Sequence, residues 1–306
     1  MTLFLVGLGG YVRSTNAGLS CPDWPLCFGK LIPESFENGV GQEYFHRVIA
    51  TIVGILVIVL NIFAYKLKDT YVRLFKFTNF LLILVIIQGI FGGLTVTQKL
   101  NPLIVTTHLI LGTVFLQAVL YLATSKDKLP NSDVGYNRLT IKQPRYRKLI
   151  YSIIVLTFLQ IAVGGYVGSS GASLVCSGLP FCHGSICAND ICKDGFAYTE
   201  AASKAIKGLT HIHMTHRVLG ILLAILVFSL VPLVIKNREF PKAGRGHAFG
   251  MATMILLQII IGVLNIVFKV QTHVTVTHLV IAQFILFGFL ILYRDMNPEK
   301  SILLKN

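Results

Sequence analysis

Four histidines recur at matched positions in this apolar chain. His108 follows His46 by 62 positions, and His278 follows His216 by the same interval. Ionisable side chains inside apolar segments are costly to bury and are usually functional. A lone histidine in such a segment is most often a structural residue, but two matched pairs favour a shared chemical task.

Ligation of two haem irons is the task that these pairs fit best. Two imidazoles on facing helices of a four-helix bundle can take both axial positions of a haem iron, and the bundle supplies an apolar slot for the macrocycle. A structural zinc site fits less well, because it needs four close N or S ligands. For either half alone, a structural histidine pair stays open as the alternative. Glycines would let the flat ring approach the helix backbones; they are Gly9, Gly10, Gly89, Gly92, Gly93, Gly164, Gly165 and Gly262.

An arginine directly follows the first histidine of each pair. Arg47 and Arg217 carry guanidinium groups, whose geometry suits carboxylates, so we interpret them as partners of haem propionates. The alternative is an interfacial arginine that extends out of the bilayer. Recurrence in both halves favours the first interpretation.

An acid is found beside only one of the histidine pairs. Glu43 precedes His46 by three residues and so shares its helix face. The corresponding residue in the second half is His213. Glu43 is therefore a candidate proton acceptor or cation stabiliser for the first site. The alternative is an exposed acid at a helix start, where the helix dipole favours it.

Cysteines occur only in two long polar loops. Two pairs each enclose five residues and could close small disulfide rings, as structural staples or as redox-active bonds. A third pair could bridge within an insertion, although six cysteines allow 15 sets of pairings and the sequence does not choose among them. The three pairs are Cys21 and Cys27, Cys176 and Cys182, and Cys187 and Cys192.

The elements that position these residues are predicted to be membrane-spanning helices. The chain has 306 residues, of which 54% are hydrophobic and 13% charged, and about 20 apolar residues suffice to cross a bilayer. Met1–Val12 is too short to cross alone. The predicted spans are Arg47–Tyr65, Phe75–Val96, Ile104–Ala123, Leu149–Val167, Met214–Ile235, Phe249–Phe268 and Val274–Tyr293.

The net charge of +14 follows the predicted topology. Of the 27 lysines and arginines, 18 lie in three loops and the C-terminal tail, all on one side of the membrane. The positive-inside rule makes this side cytoplasmic, with both termini, and places the cysteine loops outside, where disulfides persist. Topology thus explains the basicity without nucleic acid, and fits a bacterial-type plasma membrane.

The chain contains an internal repeat. Gly9–Val12 matches Gly164–Val167 at an offset of 155, and His46–Val48 matches His216–Val218 at an offset of 170. The difference is a 15-residue insertion in the second outer loop. Internal repeats of this kind define the architecture. They predict an all-α membrane protein of eight transmembrane helices, arranged as two tandem, pseudo-symmetric four-helix bundles.

The repeat also defines the domains. We expect an N-terminal bundle at 1–124, a cytoplasmic linker at 125–148 and a C-terminal bundle at 149–306. The second copy starts near Leu149, and the 155-residue offset puts the equivalent start before residue 1. We therefore expect the first helix to be abbreviated.

Taken together, these motifs resemble the haem A synthase family over essentially the whole chain. The resemblance lies in the duplicated eight-helix plan, the two Cys-x5-Cys loops, E-x-x-H-R at Glu43–Arg47, and the remaining matched residues His108, His216, Arg217 and His278. It implies a membrane oxidoreductase that converts the C8 methyl of haem O into a formyl group, giving haem A for terminal oxidases.

The resemblance also implies a role for each site residue. His46 and His108 would flank the iron of the substrate haem O, and Glu43 would be the catalytic carboxylate. The second pair, His216 and His278, would ligate a haem b cofactor. Cys21 and Cys27 would form a disulfide with a redox or proton-coupled role, whereas the family pattern does not account for Cys187 and Cys192.

Two other functions compete with this interpretation. A di-haem membrane cytochrome of the b type would use the same histidine pairs for electron transfer alone, without Glu43. A haem carrier is disfavoured, because transporter sites typically lie near the bilayer midplane and these histidines lie near one face. The expected partners are membrane lipid, haem O synthase and an unidentified electron carrier.

Overall fold

The computed structural model describes residues 1–125, 144–176, 182, 200–236 and 242–295. Within these ranges the chain forms eight α-helices, seven of them long and apolar enough to cross a membrane. This confirms an all-helical, multi-pass membrane protein. The helices are α1 Thr2–Ser14, α2 Val40–Lys66, α3 Val72–Thr97, α4 Pro102–Ala123, α5 Pro144–Ser169, α6 Glu200–Lys236, α7 Lys242–Val267 and α8 Thr272–Asp295.

The helices are mostly longer than the apolar segments that predicted them. Helix α2 begins at Val40, seven residues before the predicted start at Arg47. Phe268, the predicted end of a span, lies one residue beyond α7. Hydropathy marks the part of a helix that crosses lipid, while backbone hydrogen bonding continues into the polar interface. His46, which precedes the predicted apolar span, therefore lies inside α2, six residues after the helix begins.

Two helix starts depend on particular residues. Gly39 precedes α2 with φ of 88°, and a Cβ there would lie 2.5 Å from Ser20 Oγ and 2.9 Å from Ala17 Cβ. Glycine is therefore required where the first outer loop packs against α2. At α4, the side chain of Asn101 accepts a hydrogen bond from the backbone N–H of Leu103 at 3.0 Å, which caps the helix.

The helices pack as two four-membered groups. Helices α1 to α4 each contact the next, and α1 contacts α4; helices α5 to α8 do the same, with α5 contacting α8. Each group has its own hydrophobic core. The first core contains Val53, Val57, Leu81, Leu84 and Phe115, and the second includes Ile150, Ile153, Val227, Ile255 and Phe289.

Helices α1, α4, α5 and α8 join the two groups. In the interface Gln117 Nε2 donates to the Gln283 carbonyl at 3.1 Å, and Gln283 Nε2 donates to Thr113 Oγ1 at 3.2 Å. Near the other end of α8, Arg294 Nη1 donates to the carbonyl and Oγ1 of Thr124 at 3.0 and 2.9 Å. Buried polar groups are stable when paired in this way, so the interface is specifically matched.

Candidate functional site

Each of the four candidate histidines packs against a glycine of a neighbouring helix. A glycine has no Cβ, so the imidazole can lie directly against the helix backbone. In the structure these four glycines admit the imidazoles, and the expected approach of a porphyrin to them stays a prediction. The distance from a Cβ built on the glycine to the imidazole Cε1 is 3.1 Å for Gly9 and His46, 3.4 Å for Gly92 and His108, 2.8 Å for Gly164 and His216, and 3.1 Å for Gly262 and His278.

The other predicted glycines have different surroundings. A Cβ on Gly10 would lie 2.7 Å from Leu279 Cδ2, and one on Gly165 would lie 2.5 Å from Leu109 Cδ2. Both glycines thus allow close packing between the two groups of helices. Beyond the backbone of its own helix, no heavy atom of the described residues lies within 4 Å of such a Cβ on Gly89.

The imidazoles share a second feature, a buried and unpaired Nδ1. All four residues are half-buried, yet each Nδ1 is inaccessible and has no hydrogen-bond partner among the described residues. Electrostatic interaction links His46 with His108 and His216 with His278. The two histidines of each half therefore lie near enough to each other to interact electrostatically.

Glutamines on the helix preceding α4 and α8 fix the backbone at two of the histidines. Gln88 Nε2 donates to the His108 carbonyl at 3.0 Å, and Gln258 Nε2 donates to the His278 carbonyl at 2.9 Å. The two glutamines are equivalent in the repeat. Their hydrogen bonds set the height of each histidine relative to the helix beside it.

A third glutamine was not found by sequence comparison. Gln160 Nε2 donates to the His216 carbonyl at 3.0 Å and lies 3.4 Å from His216 Nε2. The equivalent position in the first half, 155 residues earlier, is Leu5. Because the repeat comparison selects matching residues, it overlooked a glutamine present in one half only.

Glu43 is buried, with 4% of its surface exposed. One carboxylate oxygen, Oε2, accepts a hydrogen bond from the backbone N–H of Cys21 at 2.8 Å. The other, Oε1, pairs with Arg47 Nη2 at 2.5 Å. Glu43 therefore lies in the first turn of α2 but is buried there, so it is not the exposed acid of the alternative interpretation. It joins α2 to the first cysteine loop.

The guanidinium of Arg47 holds the same loop. Nη1 donates to the carbonyls of Asp23 and Leu26, both at 2.7 Å, and Nη2 donates to the Cys21 carbonyl at 3.2 Å. Neither sequence interpretation of Arg47 included these contacts. In the second half, Arg217 Nη2 donates to the Cys176 carbonyl at 2.6 Å, so both arginines hold the loop above their helix.

Two predicted disulfides are formed, Cys21–Cys27 and Cys176–Cys182. Cys21 and Cys27 are buried and pack with Val40 at the start of α2. The predicted third pair, Cys187 and Cys192, lies outside the described residues.

Asp23 organises the first loop from within its disulfide ring. Its carboxylate accepts hydrogen bonds from the backbone amides of Phe28 at 2.6 Å and Gly29 at 2.7 Å. The pKa of Asp23 is lowered, first by the Gly29 amide and also by the Phe28 amide and nearby Arg47, although desolvation opposes the shift. The spacing of the cysteines does not indicate this role of Asp23.

His213 takes the place of Glu43 in the second half. It is buried, and Nδ1 lies 2.8 Å from the carbonyl of Ala172 in the second loop. A carbonyl can only accept, so this Nδ1 carries the proton. Both residues thus join a loop to a helix, but only Glu43 brings a carboxylate to the site.

Known proteins are similar to this chain over most of its length, and the range of the matching family model contains all the candidate site residues. The family model COX15-CtaA, described as cytochrome oxidase assembly protein, matches residues 1–41 and 34–290. A protein of Shewanella oneidensis named heme A synthase is 28% identical over 303 residues, covering 90% of this chain and 88% of that protein. A heme A synthase of Alkalihalophilus pseudofirmus is 30% identical over 229 residues, or 74% and 69% of the two chains. One of an Exiguobacterium species is 27% identical over 281 residues, or 91% and 83%.

Proposed function

The chain belongs to the COX15-CtaA family of cytochrome oxidase assembly proteins, and we propose that it is the membrane oxidoreductase that converts haem O into haem A. The C8 methyl of haem O becomes a formyl group. Similar proteins over most of the chain are named heme A synthase. The structural observation that best supports the proposal is the buried carboxylate of Glu43. It lies three residues from His46 and accepts a hydrogen bond from the backbone N–H of Cys21.

The histidine couples fit haem better than a bare metal ion. Within the described ranges no group of three or more His, Cys, Asp or Glu side chains could hold an ion. A porphyrin brings four nitrogen ligands of its own, so it needs only two axial imidazoles. We assign His46 and His108 to the substrate haem O, and His216 and His278 to a resident haem b.

We assign the reaction to the N-terminal half because a carboxylate, Glu43, precedes its first histidine by three residues, where the second half has His213. Withdrawing electrons from the methyl group develops positive charge at the porphyrin edge. In a low-dielectric site, the Glu43 carboxylate stabilises that charge and can accept the proton that the methyl loses. The overall change, R–CH3 + H2O → R–CHO + 4 H⁺ + 4 e⁻, proceeds through the alcohol, and its four electrons leave to the proposed electron carrier. Haem b, when bound, supplies a one-electron redox centre beside this site.

The first disulfide loop completes the substrate half. Arg47 fixes the loop through the Asp23 and Leu26 carbonyls, and Glu43 fixes it through Cys21. A change at the Cys21–Cys27 bond is therefore transmitted directly to the carboxylate. This contact supports a redox or proton-coupled role for the disulfide. Haem propionates stay the proposed partners of Arg217 and of Arg47, where Nε is the donor that the loop carbonyls and Glu43 leave open.

Contacts across the interface support two tandem halves, 1–124 and 149–306, joined by the linker at 125–148. Thr113 bonds to Gln283 and Thr124 to Arg294, and both pairs are 170 residues apart, the repeat offset. A residue that touches its own equivalent lies near a two-fold axis.

For two parallel repeats that axis runs along the membrane normal. We therefore propose pseudo-symmetric bundles in a plasma membrane, with cytoplasmic termini and extracytoplasmic cysteine loops. Haem O synthase and an electron carrier are the proposed partners.

Haem analysis tests the proposed function. The full chain is expressed in cells that make haem O but no haem A, and extracted haems are separated chromatographically. We expect haem A and haem b with the chain, and haem b alone when the haem O source is omitted. Haem b without haem A, in the presence of haem O, would instead support the di-haem cytochrome, which needs neither Glu43 nor the disulfide.

A further inference from the structure

The single tryptophan of the chain lies on a glycine of α3. Trp24 is inside the Cys21–Cys27 loop, and its ring atoms Cδ2, Cε3 and Cε2 lie 3.0, 3.1 and 3.2 Å from a Cβ built on Gly93. Gly93 is buried, whereas Trp24 is 48% exposed. One side of the indole therefore packs on α3, and about half of the Trp24 surface stays exposed.

The indole packs on α3 one residue away from a glycine that contacts a substrate histidine. Gly92, the neighbour of Gly93 in sequence, is the glycine against which His108 packs. The loop that carries Trp24 is held to α2 through Arg47, which directly follows His46. The indole is thus held in place relative to α3, on which it packs, and to α2, which carries His46.

The pairing of a tryptophan with a glycine occurs in the sequence of the N-terminal half and is not repeated in the second half. The repeat equivalent of Trp24 is Leu179, and that of Gly93 is Val263. At these two sequence positions the second half has the smaller loop residue and the larger helix residue. Such compensating changes are typical of a packed pair. A tryptophan that only anchors the protein at the membrane surface would not require a glycine opposite.

We propose that Trp24 is a substrate-binding residue, whose indole, held on Gly93 of α3, forms the outer wall of the substrate haem site. A large flat apolar ring matches the porphyrin macrocycle and adds contact energy beyond simple burial. The wall favours retention of the substrate haem in the N-terminal half. This inference rests on the proposed function, because it concerns the same substrate.

Haem O titration of the purified full chain tests the proposal. In the Trp24→Leu variant we expect the haem O concentration for half-maximal binding and conversion to rise roughly three- to tenfold, as loss of one aromatic contact predicts. The maximal rate stays near that of wild type, because Glu43 is unchanged. Trp24→Phe recovers most of the affinity. Haem b content and its absorption spectrum, which report folding of the second half, stay unchanged.

Two further variants make the test specific. Gly93→Val fills the place of the indole and should weaken haem O binding as much as Trp24→Leu does. Phe28→Leu alters another exposed aromatic near the same loop, 58% exposed, and should bind haem O as wild type does.

Three results would overturn the proposal: unchanged haem O binding in Trp24→Leu, an equal loss in Phe28→Leu, or a lower maximal rate with unchanged half-saturation. The last would mean that Trp24 acts through the loop on Glu43. Failure of the proposed function is separate, because the wild-type chain would then form no haem A even though haem O binding could still be measured.

Discussion

The Glu43 carboxylate accepts a hydrogen bond from the backbone N–H of Cys21 at 2.8 Å. A predicted catalytic acid and a predicted redox cysteine are thereby in direct contact, although 22 residues separate them. The second carboxylate oxygen pairs with Arg47. The acid therefore has a defined orientation before any substrate binds, which is the condition for electrostatic stabilisation without reorganisation.

Removing the charge of Glu43 should stop turnover without removing haem b. Glu43→Gln keeps a side-chain oxygen for the Cys21 N–H but cannot stabilise developing positive charge. We expect haem A formation to fall by about a hundredfold or more, with haem b retained. The ratio of haem A to haem O in extracts measures the effect. Normal turnover in this variant would show that Glu43 is not the catalytic carboxylate.

Glu43→Ala should be more damaging to the fold than Glu43→Gln. It leaves the largely buried guanidinium of Arg47 without its carboxylate, and breaking a buried ion pair from one side costs about 3–5 kcal/mol. We expect a lower thermal midpoint and faster reduction of the Cys21–Cys27 bond. Equal stability of the two variants would mean that the ion pair contributes little.

Gly164→Ala should displace His216 and weaken haem b binding. Its Cβ would lie 2.8 Å from the His216 imidazole, too close for an unmoved ring. Alanine also favours helix by up to about 1 kcal/mol over glycine, so overall stability should not fall with haem content. The matched control is Gly168→Ala in the same helix, where a Cβ meets no atom of the described residues within 4 Å beyond the backbone of its own helix. Haem b per chain is measured by absorption, and equal loss in both variants would contradict the prediction.

Replacing a histidine should deplete the haem of its own half. We expect His278→Ala to lose haem b first, and His108→Ala to lose haem O and haem A while keeping haem b. The reason is that each iron needs both axial imidazoles of its couple. Haem extraction from each purified variant gives the answer. If His278→Ala retained haem b and lost haem O, the two halves would have to exchange roles.

Acid should loosen the first disulfide loop through Asp23. The pKa of Asp23 is lowered in the folded chain because the Gly29 and Phe28 amides bond its carboxylate. The stabilisation is therefore fully present above the unfolded pKa, near 3.8, and is lost as the pH falls through the lower folded value.

The rate of Cys21–Cys27 reduction by an acid-tolerant phosphine reports this loosening between about pH 5 and about pH 2. Wild type should become more reducible over this range. Asp23→Asn should already be reducible at pH 5 and should change less. Identical profiles would show that the carboxylate does not hold the loop.

The positions of the candidate ligands could be predicted from the sequence, because they depend on order along the chain. Hydropathy alone locates seven spans, and the equal spacing of His46 to His108 and of His216 to His278 identifies four residues without any knowledge of packing. The cysteine spacing likewise anticipated Cys21–Cys27 and Cys176–Cys182, which the structure contains.

Only the tertiary structure decided what these residues touch. The burial of Glu43, the loop contacts of Arg47 and the packing of Trp24 on Gly93 depend on how helices rotate about their axes and how a loop folds over their ends. Those quantities are set by side-chain packing between segments far apart in sequence, on which hydropathy and spacing carry no information. The sequence thus determined which residues can do chemistry, and the fold determined which of them lie in contact with one another.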